Sequence, residues 1–147
     1  MEHLDHPTEA LWEQRRHWFE AHIFHYEERG SYLVGEQACA LISEVQSCFC
    51  AGAWAAVVML AFGVIEANLK EIDPSAKKSK AIDLLRANEF DERFHRLRMR
   101  RNSLIHGDHG CPAITVDQQW DNRAELELEA KEAVGLMFEA FYSQAGT

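Results

Sequence analysis

The chain has 147 residues, 47% of them hydrophobic and 27% charged, with three prolines and eight glycines. That composition suits one domain with a real core and excludes disordered, collagen-like and low-complexity classes. A formal net charge of -9 argues against a protein that coats nucleic acid over its whole surface.

The first helix is predicted to start near Pro7, a residue suited to a first helical turn, and to run to Gly30. Leu11, Trp12, Arg15, Trp18, Phe19, His22 and Tyr26 recur along it at three- and four-residue steps. A second helix is expected from about Gly35 to Cys50, with Ala38, Leu41, Ile42, Val45 and Phe49 on one face. Gly52 then permits a short turn. The third, from about Ala53 to Ile72, is apolar nearly all round and should be the central helix. Its apolar run, residues 51–65, is about 15 residues long, short of the roughly 20 that a membrane span needs. No membrane partner is expected. Asp73-Pro74-Ser75 ends this helix, since proline disfavours helix at the residue before it. Lys77, Lys78 and Lys80 open a short helix to about Leu85, and a longer one follows from about Asn88 to Ile105. Gly107 and Gly110 break the pattern, Cys111 to Val116 reads as an irregular loop, and a last helix runs from about Asp121 to Ser143. The expected fold is all-α, a bundle of about five to six helices.

The start Met1-Glu2-His3-Leu4-Asp5-His6 has no basic head followed by an apolar stretch, so no signal peptide is expected. Cys39, Cys48, Cys50 and Cys111 sit mostly among apolar residues. With no export signal they read as reduced thiols in a cytoplasmic protein.

One stretch breaks the acidic trend. Arg93, Arg96, Arg98, Arg100 and Arg101 fall within nine residues. On this helix the apolar stripe is Phe90, Phe94, Leu97 and then Leu104, and the position one turn after Leu97 belongs to Arg101. An arginine that faces the inside of a bundle must be paired or must line a cleft. Glu66, the only charged residue between Gln46 and Lys70, has the same problem with the opposite sign. A register-fixing Arg101–Glu66 pair is the simplest account. Asn102 and His106 are four residues apart, and Arg98 is four before Asn102, so arginine, asparagine and histidine gather at one helix end.

The run Arg101-Asn102-Ser103-Leu104-Ile105-His106 resembles the R-x4-H motif of the HEPN superfamily (higher eukaryotes and prokaryotes nucleotide-binding domains). The preceding Cys50-Ala51-Gly52-Ala53-Trp54-Ala55-Ala56-Val57-Val58 and Glu66-Ala67-Asn68-Leu69 also look like the core helix pair of that superfamily. The likeness covers about residues 35 to 143, with the helix over about 7–29 packed on that core. It implies a helical domain, commonly a homodimer, in which the motifs of two protomers meet in one cleft. Many relatives are metal-independent ribonucleases, often toxins or defence effectors paired with an antitoxin protein, and need no cofactor. On that reading Arg101 and His106 are catalytic, Asn102 and Glu66 support them, and Arg98 and Arg100 attract the RNA backbone. Other relatives are catalytically silent binding or assembly modules, in which Arg101 and Glu66 would be a structural pair. Some toxin members carry a tyrosine two residues after the histidine; Asp108 stands there in this chain, so regulation through that tyrosine is not carried over.

Three His-x-x-His pairs, His3/His6, His22/His25 and His106/His109, have a metal-compatible spacing without a convincing third ligand, so no metal is expected. Neither a P-loop nor a Gly-x-Gly-x-x-Gly run is present. Trp12, Trp18 and Tyr26 fit core or dimer contacts better than base stacking.

Overall fold

The computed structural model describes residues 4–107 and 110–146, and among them seven α-helices and one 3-10 turn account for nearly all regular structure. Capping chemistry sets most of the boundaries. Helix α1, Glu9–Glu27, starts where the Thr8 hydroxyl accepts from the Leu11 amide at 3.1 Å. It stops three residues before Gly30, because the following segment turns to meet the chain's end: Leu33 donates to Gln144 and Gly146 donates to Ser31.

Helix α2, Glu36–Ala51, has glycine at its N-cap and so no cap of its own. The end of α3, Trp54–Ile72, supplies one. Glu71 accepts from the amides of Gln37 and Ala38, and buried Asn68 accepts from Gly35 at 2.7 Å. A Cβ at position 35 would lie 2.5 Å from Glu71 Oε1, so glycine is what lets α3 come close enough to do this. Between the two helices Gly52 adopts φ +78°, the left-handed region that favours glycine.

Asp73 closes α3 and accepts from Ser75 within a single 3-10 turn, Pro74–Ala76. That turn continues through a bond from Ser79 to Ala76, which is why α4 spans Ala81–Ala87 and does not begin at Lys77. Helix α5, Glu92–His106, also begins later than the sequence suggests. Glu89 takes φ +57°, and Asp91 then caps by accepting from the Arg93 amide. Helix α6, Val116–Asp121, lies where the sequence reading expects the irregular stretch 111–116 to give way directly to the last helix. A reciprocal capping box between Thr115 and Gln118 starts it. Helix α7, Arg123–Phe141, completes the bundle.

Helix α3 lies at the centre, packed most extensively on α2 and α7 and also touching α5. Trp54, Phe62, Phe94, Phe49, Phe19 and Phe138 are fully buried in one continuous core. Trp18 stacks on Phe49 at 4.9 Å between ring centroids and Tyr26 on Tyr142 at 4.7 Å, so both serve the core. Among the described residues no helix is long and apolar enough to cross a membrane. All four cysteines are free thiols; Cys50 is buried, whereas Cys39 and Cys111 are exposed.

Candidate functional site

Phe94 and Leu97 bury one face of α5, and the next position on that face, Arg101, meets α3 at Phe62 and Glu66. The two α3 residues are themselves one turn apart, so they offer the guanidinium a ring face and a carboxylate together. Arg101 Cζ lies 4.7 Å from the Phe62 centroid, and Nη1 lies 3.5 Å from Glu66 Oε1. The other oxygen of Glu66 meets Lys70 Nζ at 3.4 Å. With side-chain exposures of 19% and 23%, the Arg101–Glu66 pair lies at the edge of the core, where water still screens it. Its ion-pair share is on the order of 1 kcal/mol, comparable with the cation–π contact beneath it.

The expected pairing of Arg101 with Glu66 is therefore present. His106 has other surroundings. It is exposed on the last turn of α5, before Gly107, whose φ of +70° ends the helix. Five residues of helix separate it from Arg101 by about 140° around the axis and about 7.5 Å along it. Among the described residues no hydrogen bond or ion pair joins it to Arg101, Asn102 or Glu66. Asn102 is half-buried between these two sectors.

The remaining arginines divide. Arg98 is half-buried, and its Nε has no acceptor among the described residues. Arg100 is a strut: Nε donates to Glu129 of α7 at 2.6 Å and Nη1 to the Ala113 carbonyl at 2.9 Å. Arg93 likewise joins Asp91 and Glu139. The basic face of α5 is thus partly neutralised by α7.

A groove of about 550 Å³ lies elsewhere, between α1, α5 and α7. Trp18, His22, His25, Arg93, Glu132 and Glu139 line it. His22 stacks on Phe138, and burial, followed by the neighbouring His25, holds its imidazole below the ordinary histidine range. No group of three or more metal-type ligands occurs among the described residues. His3, Asp108 and His109 lie outside them.

Two further arginines, on α1 and α7, are half-buried against one turn of the backbone. Arg15 and Arg123 clasp the α2–α3 turn from α1 and α7. Arg15 in the apolar stripe of α1 was the available signal, of the same kind that picked out Arg101.

No protein-family model, curated protein or solved structure gives a significant match to the chain.

Proposed function

We propose that this protein is a metal-independent endoribonuclease of the HEPN type, acting in the cytoplasm as a homodimer in which Arg101 and His106 of two copies share one cleft. The observation that carries this reading is the end of α5: an arginine steadied by Glu66 and Phe62, and an exposed histidine five residues later on the same helix. Their angular separation gives the dimer its purpose. One copy aims the two groups into different sectors, and a second copy facing it would bring arginine and two histidines to one phosphate.

One His106 would take the proton from a ribose 2′-OH as that oxygen attacks the adjacent phosphorus. The bond from phosphorus to the 5′-oxygen breaks, the other His106 gives that oxygen a proton, and a 2′,3′-cyclic phosphate remains. Arg101 would meet the charge that builds on the phosphoryl oxygens. Asn102 would orient the imidazole. Arg98 would attract the backbone, whereas Arg100 can do so only by releasing Glu129 and Ala113.

The test is cleavage of a mixed RNA substrate in excess EDTA. The wild type should cleave, and His106→Ala and Arg101→Ala should not, with the helical circular dichroism unchanged. Expression should be toxic to bacteria and harmless in His106→Ala, and an antitoxin protein would be sought by relief of that toxicity. Folded wild type that leaves RNA intact would sink the reading. The Arg101–Glu66 contact favours a second one, a silent binding or assembly module. There, loss of either residue lowers thermal stability and changes no RNA signal.

A further inference from the structure

We propose a second site, for a phosphate monoester, where the α2–α3 turn meets the beginnings of α1 and α7. A cavity of about 370 Å³ opens there, with Asp5, His6, Thr8, Arg15, Trp120 and Arg123 among its lining residues. That volume falls in the range of roughly 300–1,000 Å³ typical of small-molecule pockets. None of the lining residues belongs to α5, so the site is separate from Arg101 and His106 and does not depend on the nuclease reading.

Two guanidiniums carry the inference. Arg15 donates from Nη1 to the Cys50 carbonyl at 3.1 Å, and Arg123 donates to the Gly52 carbonyl. Both lie over the buried Trp54 ring, at 4.8 and 5.8 Å from its centroid. Arg15 Nη1 and Arg123 Nη2 come within 3.1 and 3.3 Å of the point where a Cβ on Gly52 would sit, so two positive charges stand side by side. Neither has a carboxylate at ion-pair distance among the described residues, whereas Arg16, Arg93, Arg100 and Arg101 each have one. Among the described residues each also keeps a buried nitrogen without an acceptor, Arg15 Nε and Arg123 Nη1, as Arg98 and Arg101 do at Nε. Burial, then the Arg15 charge, lowers the proton affinity of Arg123, while Glu127 acts in the opposite sense.

The two guanidiniums therefore have carbonyl acceptors but no paired carboxylate, in a chain whose net charge is -9. A phosphoryl group supplies the negative charge, and the planar forks of two arginines suit its oxygens. Among the lining residues Asp5 is the single carboxylate, and it opposes an anion. Trp120 adds an apolar wall for the organic part of an ester, while free phosphate would use the arginines alone.

Calorimetric titration of the full chain with adenosine 5′-monophosphate and, separately, inorganic phosphate tests this, with sodium chloride at matched ionic strength as the blank. The monoester is expected to bind about tenfold more tightly than phosphate, with a change in tryptophan fluorescence that Trp120→Phe removes. Asp5→Asn should tighten both ligands severalfold, and Arg123→Gln should weaken both at least about tenfold. Where Arg123→Gln fails to fold, Asp5→Asn decides. Equal affinity for the two ligands would overturn the monoester assignment in favour of free phosphate. Neither binding above chloride, or binding indifferent to Asp5→Asn and, where it folds, Arg123→Gln, would overturn the site itself.

Discussion

Arg101 and the Arg15/Arg123 pair meet one physical difficulty in two ways. Each guanidinium is half-buried over an aromatic ring, Phe62 in one case and Trp54 in the other. Arg101 has a carboxylate beside the ring, so its charge is offset there, although Lys70 shares that carboxylate. Arg15 and Arg123 have backbone carbonyls of the α2–α3 turn instead. A carbonyl satisfies a donor without cancelling its charge, so that turn stays positive. Burial of an arginine is therefore informative only together with the kind of acceptor it finds.

The comparison breaks most visibly at α5. If Arg101 serves chemistry beyond its pairing with Glu66, His106→Ala should lower the rate of RNA cleavage in EDTA by about 10²–10⁴-fold, the range for a lost proton-transfer group. An unchanged rate would leave Arg101 as the structural partner of Glu66 alone. At the other region, Gly52→Ala should cost about 2 kcal/mol in urea denaturation. It forces a side chain into the left-handed region and against Arg15 Nη1 at 3.1 Å. The same substitution at Gly63, which has open space around it and no positive φ, should be neutral or stabilising.

Glu66→Ala strips Arg101 of its counter-charge and should cost about 1–2 kcal/mol, discounted for the exposure of the pair. Adding Arg101→Met should recover much of that loss, because an unbranched apolar chain can still cover Phe62. No such recovery should occur for Arg123→Met, whose guanidinium has no carboxylate to leave behind. A double-mutant cycle in urea distinguishes the two cases.

A smaller effect concerns pH. The folded His22 favours its neutral form, because burial and then His25 lower its pKa below 6.5. Between the folded and unfolded values the unfolded chain binds the extra proton, so stability falls as pH drops below about 6.5 and levels off beneath the folded value. His22→Phe should flatten that part of a melting-temperature profile. Smallest of all should be Arg16→Ala, which breaks solvent-screened pairs with Glu13 and Glu20 and should leave the melting temperature almost unchanged.

The sequence is most legible where one helix face is uniformly apolar. Helices α2 and α3 fall within a residue or two of the boundaries that periodicity suggests, and Gly52 turns between them. The Arg101–Glu66 contact was readable for a related reason, since each charge interrupts an apolar stripe and has few alternatives. Misread stretches were short or governed by local caps. Helix α6 has six residues and too little periodicity to register, although Thr115 followed by Gln118 is a capping-box signature. At α4, Lys77 looked like a helical start, but the Asp73–Pro74 turn uses that length of chain. The strut from Arg100 to Glu129 was not legible, because 29 residues separate the two in sequence.

By itself the sequence determined an all-helical bundle, its central helix, and an arginine that needs a counter-charge, because burial of apolar faces and of lone charges follows rules local to one helix. Only the tertiary structure decided which arginines are neutralised and which are left charged. That outcome depends on which carboxylates and carbonyls other helices bring within about 3–4 Å, a distance that no spacing along the chain encodes.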